Sequence, residues 1–433
     1  MTKLRILAMA SFADPDAISV PYLIYRHAEA LAQIHDVTLV VGAPLEPNVR
    51  RAKGPFRAIE VVRMPTLERI HAWIFTNILK SNYDTQALTV VGYPLSQAFE
   101  WYAWRQLRRR IFAGEFDVVL RLLPNMAVIP SPLAFFLRKG PVPFVLGPLD
   151  GGLPWPPGFP QLENQKEWIS GLRGLYRYLP LTRSTYRNAA AIIVGSSQTY
   201  AEFPRYRDKM FFVPLNAVSR SLCSADQRSP ACGAKLQLLF VGGLVPRKAC
   251  DLALRGAASV LRSGLAHFTV VGGGPEQNRL EQLAKSLGIE QAVSFWGWLK
   301  HAETLQHMRS ADVLVFPSVR DYGGGVVFEA LAAGAVPLVV DFGGPGDIVR
   351  PEVGYKVPMT NGDEIVAEIE KILTALAQDR ELLGRLRQQG ICYARESLTW
   401  EAKAQSTTQV LNWAVGRGPK PDFPPPKVLC ASN

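Results

Sequence analysis

The chain has 433 residues, 48% apolar and 20% charged, which is ordinary globular material and enough for two domains. No run of 18 apolar residues occurs, which excludes a transmembrane helix, and five scattered cysteines without CxxC spacing argue for free thiols in a reducing compartment and against a disulfide or zinc scaffold. The net charge of +11 is uneven: residues 1–218 hold 25 Lys/Arg against 16 Asp/Glu (+9), residues 219–433 hold 23 against 21 (+2), so an anionic partner of the first half and a merely solvated basic surface both stay open.

Leu4–Ala10 is the first predicted strand. Its short apolar run leads into Asp14-Pro15-Asp16, which argues for a buried strand over a leader peptide. Ser11–Val20 reads as a loop, Pro21–Ile34 as an amphipathic helix, and Val37–Val41 as a buried strand. This opening predicts a doubly wound parallel sheet. In Trp101–Phe112, Arg105, Arg108 and Arg109 fall on one helical stripe and Trp101, Trp104, Leu107 and Ile111 on the other. Such a helix either faces a core or lies on an anionic bilayer. Leu172–Arg187, with Arg173, Arg177, Arg183 and Arg187, is of the same mixed kind.

Asp117–Leu120 and Val142–Leu146 are further predicted strands. The second runs into a Gly-, Pro- and Trp-rich loop, Gly147–Phe159, at the sheet edge where α/β proteins bind ligands. Asp150 stands in that loop, where an Asx turn is one reading. Ala189–Gly195 and Met210–Val213 are strands, and the polar, aperiodic Ser219–Ala234 reads as a linker.

The second half restarts the pattern. Leu236–Val241 is a strand followed by Gly242-Gly243, Arg247, Lys248 and a helix. Two cations beside a Gly-rich strand end suit a diphosphate leaving group, or are basic residues exposed at a turn. Phe268–Val271 leads into Gly272-Gly273-Gly274-Pro275-Glu276, which is no GxGxxG fingerprint because Gln277 breaks the spacing. Val293–Trp298 is a strand and turn in which Trp296 and Trp298 are either core aromatics or a stacking surface.

Ala311–Phe316 is a buried strand, Asp321–Gly325 a loop, Val326–Ala333 a helix ended by Gly334, and Val336–Val340 the next strand. The helix start leaves unpaired N–H groups near Gly324 and Gly325, which attract phosphate. Asp321 and Glu329, eight positions apart, would reach different hydroxyls of one ligand. A phosphate on the amides with sugar hydroxyls on the acids describes a nucleotide sugar; the alternative is a Gly-rich turn of any α/β protein. Asp363–Leu376, Glu381–Arg395 and Leu398–Trp413 are helices, and the Pro-rich tail from Gly416 is expected to be disordered.

The stretch from Asp321 to Pro337 resembles the retaining glycosyltransferases of family 4 (glycosyl transferases group 1, GT-B fold), which carry acid-x7-acid followed by Glu-Ala-(Leu/Met)-Ala-x-Gly-x-Pro. Glu329–Pro337 matches residue by residue, while Asp321 stands where Glu is usual. The resemblance covers about Lys235 to Leu398. It implies an α/β fold of two doubly wound, parallel-sheet, Rossmann-like domains facing a cleft, with a C-terminal helix crossing back to the first domain. The expected division is 1–218 for acceptor, 219–234 as linker, 235–397 for donor, 398–415 as the returning helix and 416–433 as a disordered tail.

The same resemblance puts Asp321 on the donor sugar and Glu329 on the ribose. It puts Gly323, Gly324, Gly325, Gly243 and Gly274 around the donor phosphates, and Arg247 and Lys248 on the pyrophosphate. Asp150 occupies a place comparable to the family's acceptor-side catalytic residue. Departures are Ala249 for the usual Gly after Lys248, Gly243 for an Arg, Asp347 for a Glu, and a first loop without its Gly-Gly pair.

The implied activity is transfer of a sugar from a nucleotide-diphosphate sugar to a glycan or lipid-linked acceptor in polysaccharide or glycoconjugate biosynthesis. It would need no metal, since no DxD-type motif is present, and no cofactor beyond the co-substrate. It would be cytoplasmic, with possible peripheral contact with an anionic membrane and no nucleic-acid partner. The alternative is an inactive nucleotide-sugar-binding or scaffold protein. A nicotinamide dehydrogenase is disfavoured, because no GxGxxG follows either first strand.

Overall fold

The computed structural model describes residues 2–67, 69, 85–123, 126–150, 153, 156, 158, 159, 180–223 and 235–426. They form two compact units. One holds the described residues up to Asp150, then 180–215 and 403–426. The other holds those of 153–165 and 216–402.

The first unit is built on a seven-stranded sheet. Its strands are β1 (Arg5–Ala10), β2 (Asp36–Gly42), β3 (Ala58–Val62), β4 (Val118–Leu123), β5 (Phe144–Leu149), β6 (Ala191–Val194) and β7 (Met210–Phe212). They are all parallel, in the order β3-β2-β1-β4-β5-β6-β7. Central strands such as β6 are buried on both faces, which is why they read as unbroken apolar runs. The edge strand β3 was missed in the sequence because three of its five residues are only half-buried and include Glu60.

The helix Thr85–Phe112 is longer than the stretch recognised in the sequence, and its inner face differs. Leu95, Phe99, Ala103, Leu107 and Ile111, four residues apart, are the buried line. Trp101, expected on the apolar stripe, is 41% exposed. Beneath the helix the buried Glu100 carboxylate takes the Arg121 guanidinium at 2.6 Å and the Ser131 hydroxyl at 2.5 Å. Of the second mixed stretch, Leu172–Arg187, only the residues from 180 on are described, as the helix Pro180–Asn188.

The last helix, Trp400–Ala414, begins in the second unit and from Lys403 belongs to the first. His27 shares a hydrogen bond with Thr407 at 2.9 Å and His35 one with Thr408 at 2.8 Å. The Lys403 ammonium donates to the Leu215 carbonyl. The tail expected to be disordered is held by contacts in its described part. Arg417 pairs with Asp117 at 2.9 Å, and the Phe423 carbonyl accepts from the Phe212 N–H at 2.9 Å. Residues 427–433 of that tail, and 224–234 of the linker, lie outside the described residues.

The second unit has a six-stranded parallel sheet, ordered β10-β9-β8-β11-β12-β13. Its strands are β8 (Leu236–Val241), β9 (Ala266–Val271), β10 (Val293–Phe295), β11 (Val313–Phe316), β12 (Val336–Val340) and β13 (Tyr355–Val357). β11 sits between β8 and β12, with Val313 opposite both Leu238 and Val336. The direction in which strands are added therefore reverses between β8 and β11, and ligands of such sheets bind beyond the strand ends at that point. The helix Gly325–Ala333, apolar except for Glu329, is buried along most of its length. Gly256 allows the helix Cys250–Arg262 to meet Gly362–Gln378, since a Cβ there would lie 2.5 Å from Ile369.

Candidate functional site

The loops after β8 and β11 form the switch point of the second unit, and backbone groups lock them together. The Arg247 carbonyl accepts from the Val319 N–H and the Ser318 hydroxyl, each at 3.1 Å. That connection carries Lys248 to the loop beyond β11, where its ammonium pairs with the Asp321 carboxylate. The same ammonium lies 4.9 Å from the centre of the Phe316 ring. Asp321 in turn accepts from the Gly324 N–H at 3.0 Å, at the mouth of the helix Gly325–Ala333. Burial pushes the Asp321 carboxyl up, but Lys248, the Gly324 N–H and Arg247 together outweigh it and hold the acid below its usual range.

The glycines here are required by close approach. Gly324 is left-handed (φ 56), and a Cβ on Gly323 would overlap the Asn216 amide. That amide donates to the Gly323 carbonyl. The Gly344 N–H donates to the Asp321 carbonyl at 3.1 Å, and a Cβ on Gly343 would overlap the same carbonyl. The turn after β9 packs on the loop after β8: Leu244 N–H meets the Gly273 carbonyl at 3.0 Å, and a Cβ on Gly274 would overlap the Leu244 carbonyl.

The structure thus brings Arg247, Lys248, Asp321, Gly323, Gly324 and Gly325 together at one switch point, with Gly243 and Gly274 in the two adjoining loops. Glu329 lies one turn along the helix and hydrogen-bonds His301 at 2.7 Å. This bond, with the charge of Glu329 assisting, outweighs the lowering by burial and raises His301 above its usual value. Trp296 and Trp298 are 54% and 74% exposed, which removes the core-aromatic reading. The ring of Trp296 lies 5.0 Å from that of His307.

Asp150 belongs to the first unit, just beyond β5, where its backbone carbonyl accepts from the Ala127 N–H at 3.0 Å. Of the loop that follows, Leu153 and Phe159 belong to the second unit, and Arg320 donates to the Leu153 carbonyl at 3.3 Å. Gly151, Gly152, Pro154, Trp155 and Pro157 lie outside the described residues. Sequence reading missed His301 and Arg320, singled out the turn of Gly343 and Gly344 only for the acid Asp347 that follows it, and gave Asn216 no role. Only the Gly343-Gly344 pair left a local signal, as a second glycine-rich turn after a strand.

Residues 225–391 match the model of the family described as Glycosyl transferases group 1. That match falls within the second unit and covers less than half of the chain. Among curated relatives, the uncharacterized glycosyltransferase MJ1607 of Methanocaldococcus jannaschii is 30% identical over 180 residues, 41% of this chain and 45% of that protein. A D-inositol 3-phosphate glycosyltransferase of Rhodococcus erythropolis is 31% identical over 205 residues, 44% of this chain and 45% of that protein. The chain therefore spans about half the length of the curated relatives it matches. Among solved structures, Anabaena Alr3699/HepE in complex with UDP superposes with a TM-score of 0.62 at 15% identity, covering 95% of this chain and all of that one. That likeness shows the fold, two Rossmann-like parallel-sheet domains of the GT-B kind. Against the group 1 pattern, Ala249 stands where Gly is usual, and it holds the left-handed backbone (φ 51) that Gly adopts without strain.

Proposed function

We propose that the protein is a metal-independent, retaining glycosyltransferase, moving a sugar from a nucleotide-diphosphate sugar to a glycan or lipid-linked acceptor. The observation that carries this reading is the Lys248–Asp321–Gly324 chain at the switch point. A diphosphate on the helix mouth would meet Lys248 and Arg247, and Lys248 has three N–H donors, so it can serve phosphate and Asp321 together. Asp321 would hold a sugar hydroxyl and Glu329 a ribose hydroxyl.

As the bond between the anomeric carbon and the phosphate oxygen breaks, negative charge grows on the diphosphate. Fixed cations and amides there act most strongly in the transition state. The acceptor hydroxyl approaches the face the diphosphate leaves, and its proton passes to the departing phosphate oxygen. Asp150 is proposed as the acceptor-side group. A lipid-linked acceptor would place the protein peripherally on the cytoplasmic face of a membrane.

The test is release of nucleoside diphosphate from labelled donors, starting with uridine diphosphate sugars because the Anabaena protein was solved with UDP. Acceptor-dependent release that survives chelation of divalent metals supports the proposal. Donor bound and never consumed, with every acceptor tried, would identify a nucleotide-sugar-binding scaffold instead.

A further inference from the structure

The outer face of the helix Thr85–Phe112 is at odds with a surface meant only for water. Its inner face is the buried line described above. Its outer face repeats Trp101, Arg105, Arg108 and Phe112 at intervals of four, three and four residues, so all four point the same way. Trp101 is 41% exposed and Phe112 50%, and the Arg105 guanidinium lies 4.8 Å from the Trp101 ring centre.

The aromatic surface continues onto a second element. Phe112 packs edge-on against Trp104 at 5.7 Å, and Trp104 stacks on Phe136 at 5.2 Å. Phe136 belongs to the short helix Pro132–Leu137, whose Phe135 is 42% exposed with the Arg138 guanidinium 3.7 Å above its ring. Neither 101–112 nor 131–140 contains an Asp or Glu. The neighbouring acids are engaged elsewhere. Glu60 and Glu115 take Arg110 at 2.5 and 2.6 Å, and Glu100 is buried on Arg121.

We infer that this face is a docking surface for an anionic lipid bilayer. Exposed Trp and Phe rings between arginines suit the headgroup boundary, where rings enter the acyl region and guanidinium groups stay with phosphates. A soluble polyanion would satisfy the arginines alone and leave the rings in water. The inference names the surface for the membrane contact proposed above. It rests on that surface and not on sugar transfer, so either reading can fail without the other.

The experiment is co-flotation of the full chain with vesicles of phosphatidylglycerol and phosphatidylcholine, or of phosphatidylcholine alone. Binding is expected to the anionic vesicles only and to weaken with salt. The double substitution Arg105→Glu, Arg108→Glu should lower it at least about tenfold. Trp101→Ser with Phe112→Ser should lower it about as far while leaving retention on an anionic polysaccharide column unchanged. Both double variants change exposed side chains, and an unaltered unfolding midpoint serves as the folding control. Equal binding to both vesicle types, or loss only in the arginine variant, overturns the bilayer assignment; the latter outcome assigns the face to an anionic polymer.

Discussion

Replacing Lys403 by Met should stabilise the first unit at neutral pH and remove a pH dependence that the wild type carries. Lys403 is buried, with its ammonium on the Leu215 carbonyl, and burial pulls its pKa from 10.5 to about 7. Below pH 7 the amine is charged in both folded and unfolded chains, so folding bears the full cost of burying the charge. At 1.36 kcal/mol per pKa unit, the fall from 10.5 to about 7 makes that cost roughly 5 kcal/mol. Between about 7 and 10.5 the unfolded chain keeps its proton while the folded one loses it, so stability rises with pH. Above that range both forms are neutral and the cost is gone. Met fills a similar volume without charge but leaves the Leu215 carbonyl without this donor, a loss of about 1–3 kcal/mol. The variant should therefore gain roughly 2–4 kcal/mol near pH 7, and the gap to wild type should close and then reverse as pH rises towards 10, where only the loss at the Leu215 carbonyl remains. Denaturant unfolding of both proteins at several pH values measures this; from pH 7 upwards the difference between them cancels the other titrating groups, since His27, which the Lys403 charge helps to push down, is held well below that range. A gap that stays constant from pH 7 to 10, or a variant less stable throughout, would refute the reasoning.

Ala249→Gly should stabilise the second unit by about 1 kcal/mol, because it relieves a left-handed alanine; an unchanged or lower unfolding midpoint would contradict that. Glu329→Ala should weaken nucleotide binding by about 1–3 kcal/mol, read by calorimetry, since a ribose hydroxyl would lose its acceptor. Wild-type donor affinity in that variant would refute the ribose assignment. Lys248→Ala should cut turnover more than donor affinity, and equal losses in both would rule out a transition-state role. Asn216→Ala removes the donor to the Gly323 carbonyl and should lower donor affinity about tenfold through the loop, with Asn216→Ser recovering part of the loss.

The alternating strands and helices were legible because a sheet covered on both faces writes itself as apolar runs, and β8 and β12 stand where those runs were read. β3 and β13 escaped for the opposite reason. They are edge strands, half-buried, with Glu60 and Lys356 interrupting them. Trp101 was misplaced because an outward line of aromatics has the same helical period as a core stripe. Periodicity gives the pitch of a helix, and burial alone says which line faces inward.

The site divides in the same way between what is local and what is brought together. Asp321, the glycines and Glu329 lie within nine residues of one another along the chain, so their chemistry could be read from spacing. The groups that orient them come from far away: Asn216 is 107 residues from Gly323 and His301 is 28 from Glu329. Single polar residues at such separations leave no pattern to read, because any surface loop would tolerate them. Their role arises only once the sheet has placed β8 beside β11 and the loops after both strands meet. Ala249 shows the converse, a position whose sequence departs from the family while its backbone keeps the geometry. The left-handed turn at Ala249 follows Lys248 directly and opens the helix Cys250–Arg262, so the fold bears the strain of an alanine there while Lys248 reaches Asp321.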